Sequence, residues 1–252
     1  MTHPDPSSGA PSRVVIHPDK QAVADAGAAR LLTAIIDAQA ERAEAQLALT
    51  GGSMGSTIIT SLLNQPGREA VDWHRVRIWW GDERYLPAGH PDRNDTQNDD
   101  AGLTALGLDP AKVHRVAGPD SSGSVQDSAD AYAADLRRYG LGAFDVVMLG
   151  VGPDAHVASL FPHHPAQRIT GAIAVPVEDS PKPPPTRVSL TFEALNRTRA
   201  VWFLVAGAEK ADALAAALAP GATAWDVPAA GVHGTDDSVW LVDQAAAALL
   251  RH

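Results

Sequence analysis

The chain has no cysteine, which excludes disulfides, thiol catalysis and Cys-ligated zinc. Positive charge is scarce: 20 Lys and Arg stand against 30 Asp and Glu, a formal net charge of −10. General nucleic-acid or anionic-membrane binding needs a basic field that this balance does not supply. An anionic small substrate then requires a local cluster of cations. No uncharged apolar run approaches the length of a membrane span. The Pro/Ser/Gly-rich start, Met1 to Ser12, lacks the basic head and apolar core of a signal peptide. These features predict a cytoplasmic protein with a flexible tail over residues 1–12 and a single domain over 13–252. At 45% hydrophobic residues, that domain can bury a substantial core.

Apolar runs alternate with stretches of helical periodicity. Arg13–His17, Gln46–Thr50, Val76–Trp80, Val146–Leu149, Val201–Val205 and Ser238–Val242 read as strands. Lys20–Glu44 reads as a helix capped by Asp19. A second helix follows Gly51-Gly52-Ser53, capped by Gly52 or Ser53. Ser124–Tyr139, Ala208–Leu218 and the C-terminal segment complete the helices. The alternation predicts an α/β fold, a single-domain, doubly wound, mostly parallel sheet flanked by helices (Rossmann-like). Ala172–Val177 is expected as an edge strand, and Arg187–Thr191 as a strand or strand-to-helix element. Pro87–Asp100 and Ser180–Pro185 read as loops, both candidates for lids.

The chemistry concentrates where strands end. After Val146–Leu149, Gly150 and Gly152 permit a sharp turn, and Asp154 and His156 follow at once. A histidine there can take a proton from water while a carboxylate fixes its tautomer. The bland alternative is that Asp154 caps a helix beginning near Ala155 and His156 only packs. Thr50-Gly-Gly-Ser-Met-Gly-Ser-Thr57 can be a phosphate nest at a helix start or an ordinary tight turn. Gly51–Gly55 also matches the G-x-S-x-G nucleophile elbow, with Asp226 and His233 as formal partners of Ser53. However, Ser53 follows only the second strand, and the His-Gly-Gly-Gly oxyanion segment is missing. Arg84 in Gly81-Asp-Glu-Arg84, Arg187 after three prolines, and Lys210 each fit a solvated surface charge when taken alone. The fold gathers them because they lie at the ends of different strands. His163-His164 lack a second ligand pair at metal spacing and read as loop residues.

Together these segments resemble the 6-phosphogluconolactonase family. The resemblance rests on Thr50–Ser53, Trp80–Arg84 with Pro87, Asn94, Gly150–Asp154, His156, Ala158–Pro162, Pro183–Thr191 and Gly207–Lys210, in family order over nearly the whole chain. It implies hydrolysis of 6-phosphoglucono-1,5-lactone to 6-phosphogluconate, in the oxidative pentose phosphate pathway, without metal or cofactor. It also implies His156 and Asp154 as catalytic residues. Gly51, Gly52, Ser53, Asp82, Arg84, Asn94, Arg187 and Lys210 would hold the substrate and its phosphate. The implied partner is a sugar-phosphate lactone, with no nucleic acid or membrane, and the chain is expected as a monomer or weak homo-oligomer. Two positions depart from the family pattern: Ala155 where glycine is usual, and Arg93 where serine precedes the loop Asn. Ala155 carries a Cβ that a turn with φ > 0 must accommodate. Glucosamine-6-phosphate deaminase/isomerase is the alternative, resembling the chain at the Gly-Gly-Ser loop and the Asp-x-His corner. Gly81–Arg84 and Ser159–Pro162 favour the lactonase.

Overall fold

In the computed structural model, which describes residues 12–250, each expected apolar run forms a strand. Of the expected tail over residues 1–12, residues 1–11 lie outside the described residues, and Ser12 belongs to the first strand. The first four strands are β1 (Ser12–His17), β2 (Ala45–Leu49), β3 (Val76–Trp80) and β4 (Asp82–Arg84). They are followed by β5 (Phe144–Gly150), β6 (Ala174–Val177), β7 (Arg187–Leu190), β8 (Thr198–Val205) and β9 (Asp237–Asp243). The helices are α1 (Lys20–Glu41), α2 (Gly52–Leu63), α3 (Asn94–Asp100), α4 (Val125–Tyr139), α5 (Phe192–Leu195) and α6 (Ala211–Ala217).

Six strands form one parallel sheet in the order β1-β9-β8-β5-β2-β3. Its central strands are buried on both faces, which is why their sequences are continuous apolar runs without alternation. On one face, Leu31 and Ile35 of α1 and Ile58 and Leu62 of α2 pack on Leu47, Val146, Met148 and Leu204. On the other, α4 (Ala129, Tyr132) and α6 (Leu214) pack on Val147, Leu149 and Phe203. The order in which strands are added reverses between β2 and β5: β2 leads through α2 to β3 on one side, whereas β5 leads towards β8 on the other. Such a switch point opens a crevice at the carboxyl ends of the two strands.

Four local expectations are corrected. Asp82–Arg84 does not merely close β3. Gly81 donates to Leu49 O (3.0 Å) and accepts from Leu190 N (2.9 Å), and the chain passes into a second, three-stranded antiparallel sheet, β4-β7-β6. Within Pro87–Asp100, the last seven residues form α3. The cap of α2 is Gly51, not Gly52 or Ser53, and no side chain caps the helix. The expected C-terminal helix is a single 3-10 turn, Ala246–Leu249, among the described residues. Asp19 and Ser124 cap α1 and α4 through Ala22 N and Asp127 N, the former as the sequence indicates.

Candidate active site

The switch-point crevice is a cavity of about 380 Å³ lined by residues from the ends of β2, β5 and β8 and from β4 and β7. Thr50, just past β2, meets the end of β5 through Gly150 N to Thr50 Oγ1 (3.4 Å). No helix follows β5. The chain instead makes a compact turn, with Ala155 N donating to Gly152 O (2.9 Å) and Gly152 N to His156 O (2.9 Å). The helix-cap alternative for Asp154 is therefore overturned. Ala155 has φ 61°, the left-handed region where glycine costs least. Its Cβ is buried in the core around Val157 and Leu160, so the turn accommodates the methyl group. Gly152 is demanded by packing: a Cβ there would lie 2.0 Å from His156 Nδ1 and 2.5 Å from Asp154 Oδ1. The Asp–His pair rests on the space that glycine leaves.

His156 Nδ1 lies 2.5 Å from Asp154 Oδ1. At that separation from a carboxylate, the ring nitrogen is the donor, so the neutral tautomer carries its proton on Nδ1 and a lone pair on Nε2. The ring sits on Phe161, centroids 4.4 Å apart. Burial lowers the His156 pKa; Asp154 acts in the opposite direction, and Lys182 reinforces the lowering. For Asp154, burial alone would raise the pKa, but hydrogen bonds and charge from His156 and Lys182 hold it well below the ordinary carboxylate range. The pair at neutral pH is a carboxylate and a neutral imidazole, the state a general base requires.

Lys182 joins this pair without belonging to any of the sequence motifs. Its Nζ donates to Asp154 Oδ1 (2.9 Å) and stands 3.2 Å from His156 Nδ1. The available signal was a lone lysine inside a proline run, Ser180-Pro-Lys-Pro-Pro-Pro185, where stiff backbone limits where a long side chain can go. Arg187 supports that run. Its Nε donates to Pro184 O (3.1 Å), and its Nη2 to Lys182 O and Pro183 O (3.2 Å each). Burial lowers the Arg187 pKa, nearby Asp82 raises it and Arg84 lowers it. Arg187 faces Arg84 across the β4–β7 ladder.

Beneath the cavity, Asp82 accepts from Ser159 Oγ (2.5 Å) and from Asn94 Nδ2 (3.2 Å), which also donates to Asp82 O (2.8 Å). Asn94 in turn dictates Gly51, where a Cβ would fall 1.9 Å from Asn94 Oδ1. Gly52 adopts φ 70° and donates to Gln97 Oε1 (2.9 Å). Gly52 opens α2, which has no side-chain cap, leaving the next first-turn N–H groups for an anion at the cavity wall. Arg84 Nη1 donates to Asp92 O, while its buried Nε has no hydrogen-bond partner among the described residues.

The cavity thus brings together most of the expected site. Gly51, Gly52, Ser53, Asp82 and Arg84 line it, as do Asn94, His156, Arg187 and Lys210. Asp154 stands behind His156 as its hydrogen-bond partner. The Ser53 elbow is not assembled: Asp226 is hydrogen-bonded to His163 (2.8 Å) and Thr223 (2.6 Å), and the His233 ring Nε2 lies 3.5 Å from Asn196 Nδ2. His163 and His164 are separately engaged, by Asp226 and by Glu178 O (2.8 Å).

Comparison with known proteins gives a consistent result. The model of the family described as glucosamine-6-phosphate isomerases/6-phosphogluconolactonase matches residues 18–240. The chain is 47% identical to a 6-phosphogluconolactonase of Streptomyces coelicolor over 247 residues, 94% of each protein. It is 41% identical to a 6-phosphogluconolactonase of Mycobacterium tuberculosis, covering 95% of this chain and 98% of that one. The solved structure of 6-phosphogluconolactonase from Trypanosoma brucei superposes with a TM-score of 0.82 at 26% identity, covering 97% of this chain and all (100%) of the other.

Proposed function

The chain belongs to the glucosamine-6-phosphate isomerase/6-phosphogluconolactonase family, and we propose that its Asp154–His156 corner carries out the hydrolysis of 6-phosphogluconolactone to 6-phosphogluconate. The activity is that of a carboxylic ester hydrolase acting on a sugar-phosphate lactone. The observation that carries the assignment of roles is His156: its Nδ1 is engaged by Asp154 and the ring lines a cavity that also collects Arg84, Lys182, Arg187 and Lys210.

The chemistry follows from that arrangement. Nε2 of His156 takes a proton from a water molecule as the water oxygen bonds to the lactone carbonyl carbon. The carbonyl oxygen becomes an oxyanion, stabilised by cations already in place. Collapse of the tetrahedral intermediate breaks the bond to the ring oxygen, which accepts the proton from His156 as it leaves. The product acid then ionises in water. The first turn of α2 and the cationic side chains supply the field that an acidic protein of net charge −10 otherwise lacks. The buried, unpartnered Arg84 Nε supports a ligand oxygen nearby. The relatives' names, together with Gly81–Arg84 and Ser159–Pro162, disfavour the deaminase alternative.

Lys210 tests the phosphate side of this reading. Burial and the neighbouring Lys182 lower its pKa, while Glu209 and Asp154 oppose them. Charge-assisted hydrogen bonds contribute about 1.5–3 kcal/mol. Lys210→Ala is therefore expected to raise KM for 6-phosphogluconolactone about ten- to a hundredfold. Unphosphorylated glucono-1,5-lactone should lose little, and equal losses for both substrates in steady-state assays would remove Lys210 from the phosphate.

A further inference from the structure

We propose that Lys182 is a positioning residue for this reaction: its ammonium fixes the Asp154 oxygen that orients His156 and opposes a proton remaining on the ring. The inference rests on His156 as the base and adds to that reading a residue that sets when the base is free.

The geometry makes Asp154 Oδ1 a shared acceptor. It takes the Nδ1–H of His156 at 2.5 Å and the ammonium of Lys182 at 2.9 Å. Because Nδ1 already carries the proton donated to Asp154, it has no lone pair for Lys182. The 3.2 Å approach of Nζ to Nδ1 therefore sets a cation against the ring. A neutral imidazole tolerates that neighbour, whereas an imidazolium is repelled by it. Asp154 has the opposite effect, stabilising the imidazolium. Lys182 thus retains the orienting hydrogen bond while offsetting part of its tendency to hold a proton on the base.

The other groups around His156 do not duplicate this role. Phe161 lies under the ring, and the Arg187 guanidinium carbon is 5.5 Å from the Phe161 centroid. Asp82 is a more distant carboxylate that favours the imidazolium, as Asp154 does. Lys210 lines the same cavity and interacts electrostatically with Lys182.

The backbone is built to deliver Lys182. Its N–H donates to Ser180 Oγ (3.3 Å), and its carbonyl accepts from Ser180 Oγ (3.0 Å) and Arg187 Nη2 (3.2 Å). Pro183, Pro184 and Pro185 follow directly. A lysine pinned at both backbone groups and ending on the catalytic pair differs from one that faces solvent. Arg187 thereby acts on the site through the loop it braces.

The experiment compares the full-length wild type with Lys182→Met and Lys182→Arg. The His156 imidazole is titrated by NMR in the free enzyme, and the acid limb of kcat/KM is measured for 6-phosphogluconolactone. Lys182→Met should move the His156 midpoint to higher pH by about half a unit or more. The shift is limited by solvent, since the Lys182 side chain is 34% exposed. The acid limb should move in the same direction, and Lys182→Arg should restore both. An unchanged or lowered midpoint overturns the proposal. So does a raised KM with neither the midpoint nor the limb displaced, which would make Lys182 a substrate contact only. If the wild type does not accelerate hydrolysis, the functional reading fails, while the NMR midpoint still decides the role of Lys182.

Discussion

His156→Ala is expected to lower kcat/KM for 6-phosphogluconolactone by about 10²–10⁴-fold, the range typical of a lost general base. The melting midpoint should stay near that of the wild type. The ring makes its polar bond to Asp154 and packs at a tilt on Phe161, but it does not bridge core elements. Asp154 keeps its ion pair with Lys182 (2.9 Å) when the ring is gone, so no carboxylate is left without a partner. Activity within a few-fold of the wild type would remove His156 as the base and return attention to the other groups of the cavity. A parallel collapse in melting temperature would instead assign the residue to folding.

The second large effect is on stability and falls on Arg93, the position where the family pattern has serine. Arg93 is buried at 1% exposure. It pairs with Asp95 through Nε (2.9 Å) and Nη2 (2.8 Å), and donates to Leu86 O (2.9 Å) and Val116 O (2.7 Å). Glu83 lies 3.9 Å away. Burial, then Asp95, push the Glu83 carboxyl up, with Arg93 opposing them. Asp95 is also raised by burial but is held low overall, chiefly by Arg93. Removing this cation leaves the buried Glu83 carboxyl beside Asp95 with no opposing charge of its own and Asp95 with only Arg115 (3.4 Å), and breaking such a pair from one side costs about 3–5 kcal/mol. Arg93→Ser should therefore lower the melting midpoint by roughly 6–20 °C. An unchanged midpoint by calorimetry would show that the cluster is not a stabilising unit. The consequence reaches the site, because Glu83 also accepts from the N–H groups of Asn94 (2.7 Å) and Asp95 (2.9 Å), and Asn94 packs against Gly51.

That network explains what the sequence concealed. Asn94-Asp-Thr-Gln-Asn-Asp-Asp100 has poor intrinsic helix propensity and no local side-chain cap. It is helical because the carboxylate of Glu83, eleven residues before Asn94, satisfies the first N–H groups of α3. A cap drawn from a strand, β4, leaves no local pattern to read. The same holds for Asp82–Arg84: three polar residues after a glycine carry no strand signal, and their pairing with Arg187–Ser189 is a long-range event.

The buried strands were legible because an apolar run such as Val146–Leu149 has few alternatives. The corner was legible because Gly152, Asp154 and His156 follow one such strand directly. Glycine is required at position 152 by the Asp–His pair itself, so that glycine was a true signal. Lys182 was not legible, because its importance comes from where the Pro-rich loop places Nζ, a fact of tertiary structure. Arg187 lines the cavity, and the same loop's carbonyls also engage its Nε and Nη2, a bracing role that no local pattern shows.

The central claim is tested most directly by following freshly generated 6-phosphogluconolactone near neutral pH, with and without the pure wild-type protein. The account predicts loss of lactone well above the spontaneous rate, proportional to enzyme concentration and yielding 6-phosphogluconate. A rate indistinguishable from the spontaneous background would contradict it.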